Sequence, residues 1–76
     1  MANQTLGEKR IRTEFNPSGV GNVNYIKENC AKLIDVLDAI HPHADESKQE
    51  EADRLKAIAM TAIEEAAMWA VKAATV

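Results

Sequence analysis

The sequence predicts an all-α protein: an antiparallel helical hairpin with a short N-terminal arm, assembling into a compact homo-oligomer. Three observations point there. Two long stretches place apolar residues at alternating intervals of three and four, the period of an amphipathic helix. Segments containing Pro17, Gly19, Gly21 and Pro42 set these stretches apart. The apolar content, finally, leans on alanine: of 76 residues 35 are apolar, and 13 of those are Ala. A chain this short buries only about 60–65% of its unfolded surface and is marginal as a monomer. Its single cysteine closes no internal disulfide, and no Cys/His spacing suits zinc, so self-association is the remaining means of stabilisation.

Residues 1–16 form the expected arm. They mix Thr, Asn and Gly with a basic cluster (Lys9, Arg10, Arg12), and only Leu6, Ile11 and Phe15 could anchor them. No period is sustained there, so the arm reads as mostly extended or irregular. The hairpin then occupies residues 17–76. Its first helix, about residues 22–40, carries the seam Val23, Ile26, Cys30, Leu33, Leu37 and Ile40, widened by Ile34. His41-Pro42-His43 ends it, because a proline disfavours the helical conformation in the residue before it. A loop over 41–47 leads to the second helix, about residues 48–75. Ser47-Lys48-Gln49-Glu50 is an S-x-x-E capping box, and Glu50, Glu51 and Asp53 suit the positive end of the helix dipole.

The second helix has the seam Leu55, Ile58, Ala62, Ala66, Trp69, Ala73 and Val76. Between Leu55 and Val76, sixteen of 22 residues are apolar, and they nearly encircle the helix. Such a helix belongs in an interior, yet a single shorter partner covers only one side. Small residues such as Ala59, Ala66, Ala67, Ala70 and Ala74 allow helices from other subunits to approach closely. The second helix therefore reads as the centre of the oligomer.

The charge balance excludes several classes. Nine basic and twelve acidic residues give a net charge of −3, the wrong sign for a duplex-binding protein that draws affinity from phosphate neutralisation. No apolar run reaches membrane-spanning length, and MANQTLGEKRIRTEF offers no hydrophobic segment for a signal peptide. One unpaired cysteine fits a reducing, cytoplasmic setting. Cys30 lies on the seam as a small core residue; His41 and His43 alone make a poor metal site; Glu64 and Glu65 diverge on adjacent faces. Nothing supports an enzyme, a metal centre or a cofactor.

Two groups of polar residues stand out. On the second helix Arg54, Thr61, Glu65 and Lys72 fall within about 20° of one line at 100° per residue. They form either a solvated stripe or a polar cavity at a subunit interface, where Arg and Lys meet an anionic ligand. Around the first helix, Phe15-Asn16-Pro17-Ser18-Gly19 precedes Asn24-Tyr25-Ile26-Lys27-Glu28-Asn29. An aromatic, a turn and a lysine near a helix start are the parts of a nucleotide clamp. The same residues also fit a plain structural role, with Phe15 packing the arm down and Lys27 solvated.

Phe15-Asn16-Pro17-Ser18, Ile26-Lys27, and the block from Arg54-Leu55 through Ala59-Met60-Thr61 to Glu64-Glu65-Ala66-Ala67-Met68-Trp69-Ala70-Val71-Lys72-Ala73 resemble a family of small phage helical-hairpin proteins. These are the anti-CBASS sponges, whose hairpin is shared with the anti-Thoeris sponges. The likeness covers roughly residues 15–75. It implies a non-enzymatic sink that binds cyclic oligonucleotides from host immune synthases and keeps the downstream effector inactive. It also implies a homohexamer with cyclic dinucleotides and cyclic trinucleotides in separate interface pockets.

By that resemblance Phe15 is the base-stacking aromatic, often Tyr in the family, and Asn24 and Lys27 match its Asn and phosphate-contacting Lys. Asn29 stands where relatives can have Thr, so an amide replaces a hydroxyl. Lys72 stands where relatives can have Arg, keeping the charge without the bidentate fork, and lines the trinucleotide pocket with Arg54 and Thr61. Compared with the anti-Thoeris type, which has an extra N-terminal domain, the resemblance makes the ADP-ribose-derived signal the less expected main target. Two other classes fit the pattern less closely. An adaptor hairpin would bind a protein partner through the Ala-rich face, and a Rop-like RNA binder would need a denser basic stripe than Lys27 with Lys32.

Overall fold

The computed structural model describes residues 3–76 and holds three helices, α1 (Leu6–Ile11), α2 (Gly21–Asp38) and α3 (Glu46–Ala74). Among the described residues no segment is a strand. Helix α2 and helix α3 pack as the expected hairpin. At 1.5 Å per residue they are about 27 and 43 Å long, so α3 overhangs.

The N-terminal segment departs from the expectation of an extended arm, because residues 6–11 are helical. Six residues are too few for a stable isolated helix, and three devices hold this one. Thr5 and Glu8 form a capping box: the Thr5 hydroxyl accepts the Glu8 N–H at 3.1 Å, and the Thr5 N–H donates to Glu8 Oε1 at 2.8 Å. Arg12 closes the other end in the left-handed conformation (φ 61°, ψ 56°), its N–H donating to the Glu8 carbonyl at 2.9 Å. Gly7 and Ile11, one turn apart, are both buried. A Cβ on Gly7 would lie 1.9 Å from the Ala31 carbonyl oxygen, so only glycine permits this approach of α1 to α2.

Helix α3 also begins differently. The cap is Asp45, not Ser47: the Asp45 carboxylate accepts the N–H groups of Ser47 (2.9 Å) and Lys48 (3.5 Å) and the Ser47 hydroxyl (2.8 Å). Asp caps as well as Ser and stands two positions earlier, so it adds half a turn of helix. Helix α2 ends at Asp38, with the Ala39 N–H donating to the Asp35 carbonyl at 3.1 Å.

The core joins all three helices: Ile11 from α1, Ala31 and Ile34 from α2, Met60 and Ala67 from α3, with Cys30, Leu37 and Ile63 packed against them. The inward face of α3 is therefore the Met60–Ile63–Ala67 line, rotated from the seam expected to be its most buried face. Leu55, Ile58 and Trp69 are instead 51%, 54% and 58% exposed, and on α2 Leu33 points outward too. Two apolar stripes of α3 satisfy the same period, and the one holding Met60, Ile63 and Ala67 meets the other helices. Cys30 is half-buried, and burial pushes its thiol above the ordinary cysteine range.

The molecule is a thin slab, 46 × 30 × 12 Å across its Cα atoms. Its accessible surface is 5714 Å². A folded monomer of 8.3 kDa exposes roughly 4,600 Å² on the usual size scaling. The excess reflects an open shape that exposes Leu33 and Val36 of α2, Ile40 just beyond it, and Leu55, Ile58, Met68 and Trp69 of α3.

Candidate functional site

The turn after α1 builds the first polar site. Arg12 ends the short helix in a left-handed pose that costs a non-glycine residue about 1–2 kcal/mol, and the chain reverses so that Phe15 N–H donates to the Arg12 carbonyl at 2.9 Å. Lys27, on the first half of α2, reaches under this reversal. Its Nζ donates to the carbonyl of Arg12 at 3.1 Å and to that of Phe15. The Phe15 ring lies above, 5.4 Å from Lys27 Nζ and 5.7 Å from the Arg12 guanidinium carbon, within cation–π range of both. The ring itself is 58% exposed.

Lys27 is only 9% exposed, the one charged side chain among the buried described residues. Desolvation holds its pKa below the ordinary lysine range, and the neighbouring Arg12 charge lowers it further. Two of its three N–H groups meet backbone carbonyls, so the burial is compensated.

Asn16, Ser18 and Asn24 complete the turn. The Asn16 amide nitrogen donates to the Val20 carbonyl and to Asn24 Oδ1, both at 3.0 Å, while the Ser18 hydroxyl donates to Asn16 Oδ1 at 2.6 Å. Gly19 takes a positive φ of 69° there. Helix α2 then begins at Gly21 with no side-chain cap and no acidic residue in its first turn. Beside Phe15 lies a pocket of about 230 Å³, walled by Asn16, Pro17, Val23, Lys27, Val71 and Thr75. Lys27 and Val71 also border a neighbouring hollow of about 430 Å³, whose other walls include Arg10, Arg12, Glu64 and Met68.

Of the four residues expected at this site, Phe15 and Lys27 come together and Asn24 joins through Asn16. Asn29 does not. Its amide donates to the Tyr25 carbonyl of its own helix at 2.8 Å, and it borders none of these pockets. Two basic residues absent from the expected set do belong here. Arg12 faces the Phe15 ring, and Arg10 pairs with Glu64 of α3, its Nε donating at 2.6 Å. The run Lys9-Arg10-Ile11-Arg12 directly before Phe15 was the available signal, legible only once α1 is recognised as a helix.

The α3 stripe is exposed along its length. Arg54 is held by Glu51 at 2.5 Å, and this hydrogen bond raises its pKa further. Thr61 and Glu65 share a shallow hollow with Ala57, Ile58 and Ala62. Lys72 lies 5.5 Å from the centre of the Trp69 ring. Within one chain these residues do not converge on a common pocket. Among the described residues no cluster of His, Cys, Asp and Glu has the spacing for a metal ion; in the loop before α3 the His43 backbone N–H donates to Gln49 Oε1 at 2.5 Å. No helix among them is long and apolar enough to cross a membrane.

No curated protein and no solved structure matches the chain. A family model, described as Acb2/Tad1, hairpin domain, matches residues 6–75. That span takes in α1, the Phe15–Lys27 reversal and the whole hairpin. The chain belongs to this Acb2/Tad1 family, the anti-CBASS and anti-Thoeris sponge family whose residues it resembles.

Proposed function

We propose that this protein is a non-enzymatic sponge that binds cyclic di- and trinucleotide immune messengers at subunit interfaces and sequesters them in the host cytoplasm, so that antiphage effectors are not activated. The observation that carries the reading is the exposed Phe15 ring set over two cations, Arg12 and Lys27, within a chain of this family. An exposed aromatic is a stacking surface for a base, and a cation close to it can meet the phosphate. The turn amides and the uncapped start of α2 add donors beside it.

Subunit interfaces enter for two reasons. The pocket at Phe15, about 230 Å³, falls short of the roughly 300–1,000 Å³ typical of small-molecule sites, so it suits half a ligand. The exposed apolar stripes of α2 and α3 are the surfaces that a homohexamer would cover, and doing so would gather copies of Arg54, Thr61 and Lys72 around a symmetric second pocket for the trinucleotide. A few cations reused by symmetry also reconcile phosphate binding with a net charge of −3.

Calorimetric titration with a panel of cyclic di- and trinucleotides tests the proposal, followed by heat denaturation and chromatography of the released ligand. The expected result is tight binding with the cyclic ligand recovered intact. Binding of no panel member overturns the sponge reading, and recovery only as linear product makes the protein an enzyme.

A further inference from the structure

Three cations border the two adjoining pockets, and they differ in what they already hold. Arg10 is engaged by the Glu64 carboxylate. Lys27 is buried, with its ammonium turned to the Arg12 and Phe15 carbonyls. Arg12 is exposed, and among the described residues its guanidinium is in neither of the ion pairs, Arg10–Glu64 and Arg54–Glu51. Its backbone is the most constrained of the three: it closes α1 in the left-handed region, donates to Glu8 and accepts from Lys27.

We infer that Arg12 is the cation that meets the ligand's phosphate, and that Lys27 is a positioning residue which fixes Arg12 and Phe15 in place. The inference rests on the sponge reading and divides the roles within its first site. A phosphate approaching Lys27 would have to compete with the two carbonyls that its ammonium already serves. The Arg12 guanidinium needs no such exchange. Its planar fork matches two phosphate oxygens at once, and it stands 5.7 Å from the centre of the ring on which a base would stack. Arg12 also lines the larger hollow, whose walls include the apolar side chains of Ile11, Ala67, Met68 and Val71. Lys27 contributes by clamping both ends of the Arg12–Phe15 reversal, which holds ring and guanidinium in register before ligand arrives.

The test titrates the full chain with cyclic GMP–AMP and cyclic di-AMP at low and high salt, beside thermal unfolding of each variant. Arg12→Gln is expected to weaken binding at least tenfold and remove most of its salt dependence, with little change in Tm. Arg12→Gly, which suits the left-handed backbone, should do the same and serves if Arg12→Gln fails to fold. Lys27→Met is expected to lower Tm and weaken binding while the residual binding keeps the wild-type salt dependence. Wild-type affinity and salt dependence in both Arg12 variants would overturn the inference and leave the sponge reading standing. So would loss of salt dependence in Lys27→Met at unchanged Tm. If the wild-type chain binds neither these two nor the wider panel, the sponge reading fails, and the inference with it.

Discussion

Gly7 donates its backbone N–H to Asp35 Oδ1 at 2.7 Å, joining two residues 28 positions apart and docking α1 against the second half of α2. The bond and the missing side chain act together. The Asp35 carboxylate satisfies an amide near the helix start that the helix itself leaves unpaired, and the absence of Cβ lets α1 approach the Ala31 backbone. The Arg12–Phe15 reversal follows directly, so the candidate site inherits its position from this contact.

Gly7→Ala should therefore act on the site from a distance. The added methyl meets a backbone oxygen that cannot rotate away, and overpacking of this kind costs about 1–3 kcal/mol or more. The expected outcome is a lower Tm, with hydrogen exchange accelerated in residues 6–11 before it changes in α3. An unchanged melting curve would mean that α1 does not depend on this approach.

Phe15→Ala should separate binding from stability. The ring is largely exposed, so folding should change little, whereas loss of a stacked base is worth about 1–3 kcal/mol, or about 5- to 150-fold in affinity. Titration with a cyclic dinucleotide and a melting curve on the same preparation check both halves. Phe15→Tyr should retain binding.

Lys72→Ala and Thr61→Ala should weaken cyclic trinucleotides and spare cyclic dinucleotides, in contrast to Phe15→Ala. Competition between the two ligand classes on the wild-type protein is the companion measurement. Displacement of one class by the other would show a single shared site.

Trp69→Glu places a charge in the exposed apolar stripe of α3, away from the Met60–Ala67 core line. If the proposed homohexamer forms, sedimentation velocity should show this variant shifted toward a helical monomer relative to wild type. A variant with an unchanged sedimentation coefficient would remove this stripe from any interface.

The burial of Lys27 gives an alkaline signature. Its folded pKa is lowered from the ordinary value of about 10.4, so across the interval below that value the unfolded chain binds the proton more readily. Stability then rises with pH through the interval between the folded and unfolded pKa values. Arg12 is the charged neighbour that adds to this shift. Comparing the Tm of wild type and Lys27→Met across the alkaline range isolates the effect, since other titrating groups are common to both. The difference in favour of wild type should grow with pH; a constant difference would show that Lys27 has an ordinary pKa.

Much of the fold was legible in the residues. The 3–4 period of Val23, Ile26 and Cys30 and the apolar run after Leu55 established the two long helices, and Pro42 marked their separation. Helix α1 was missed because six residues show less than two turns of any period. Its one local sign, Thr5-Leu6-Gly7-Glu8, is a capping box of the kind sought instead at Ser47. The site was legible as far as Phe15 and Lys27, whose residue types advertise stacking and charge. That Lys27 faces inward and Arg12 outward was not, because both are cations and a sequence does not say which one lies beneath a turn.

By itself the sequence determined the helical class, the places where helices stop, and the surplus of alanine and apolar stripes on α3. These are local matters of period, proline and side-chain size. Only the tertiary structure decided which stripe of α3 faces α2, since two apolar faces satisfy the same period and close packing at Met60 and Ala67 selects between them. It likewise decided that Gly7 approaches Ala31, and so that Arg12, Phe15 and Lys27 meet. Contacts between residues this far apart in the chain depend on how three helices fill one space, which no local pattern encodes.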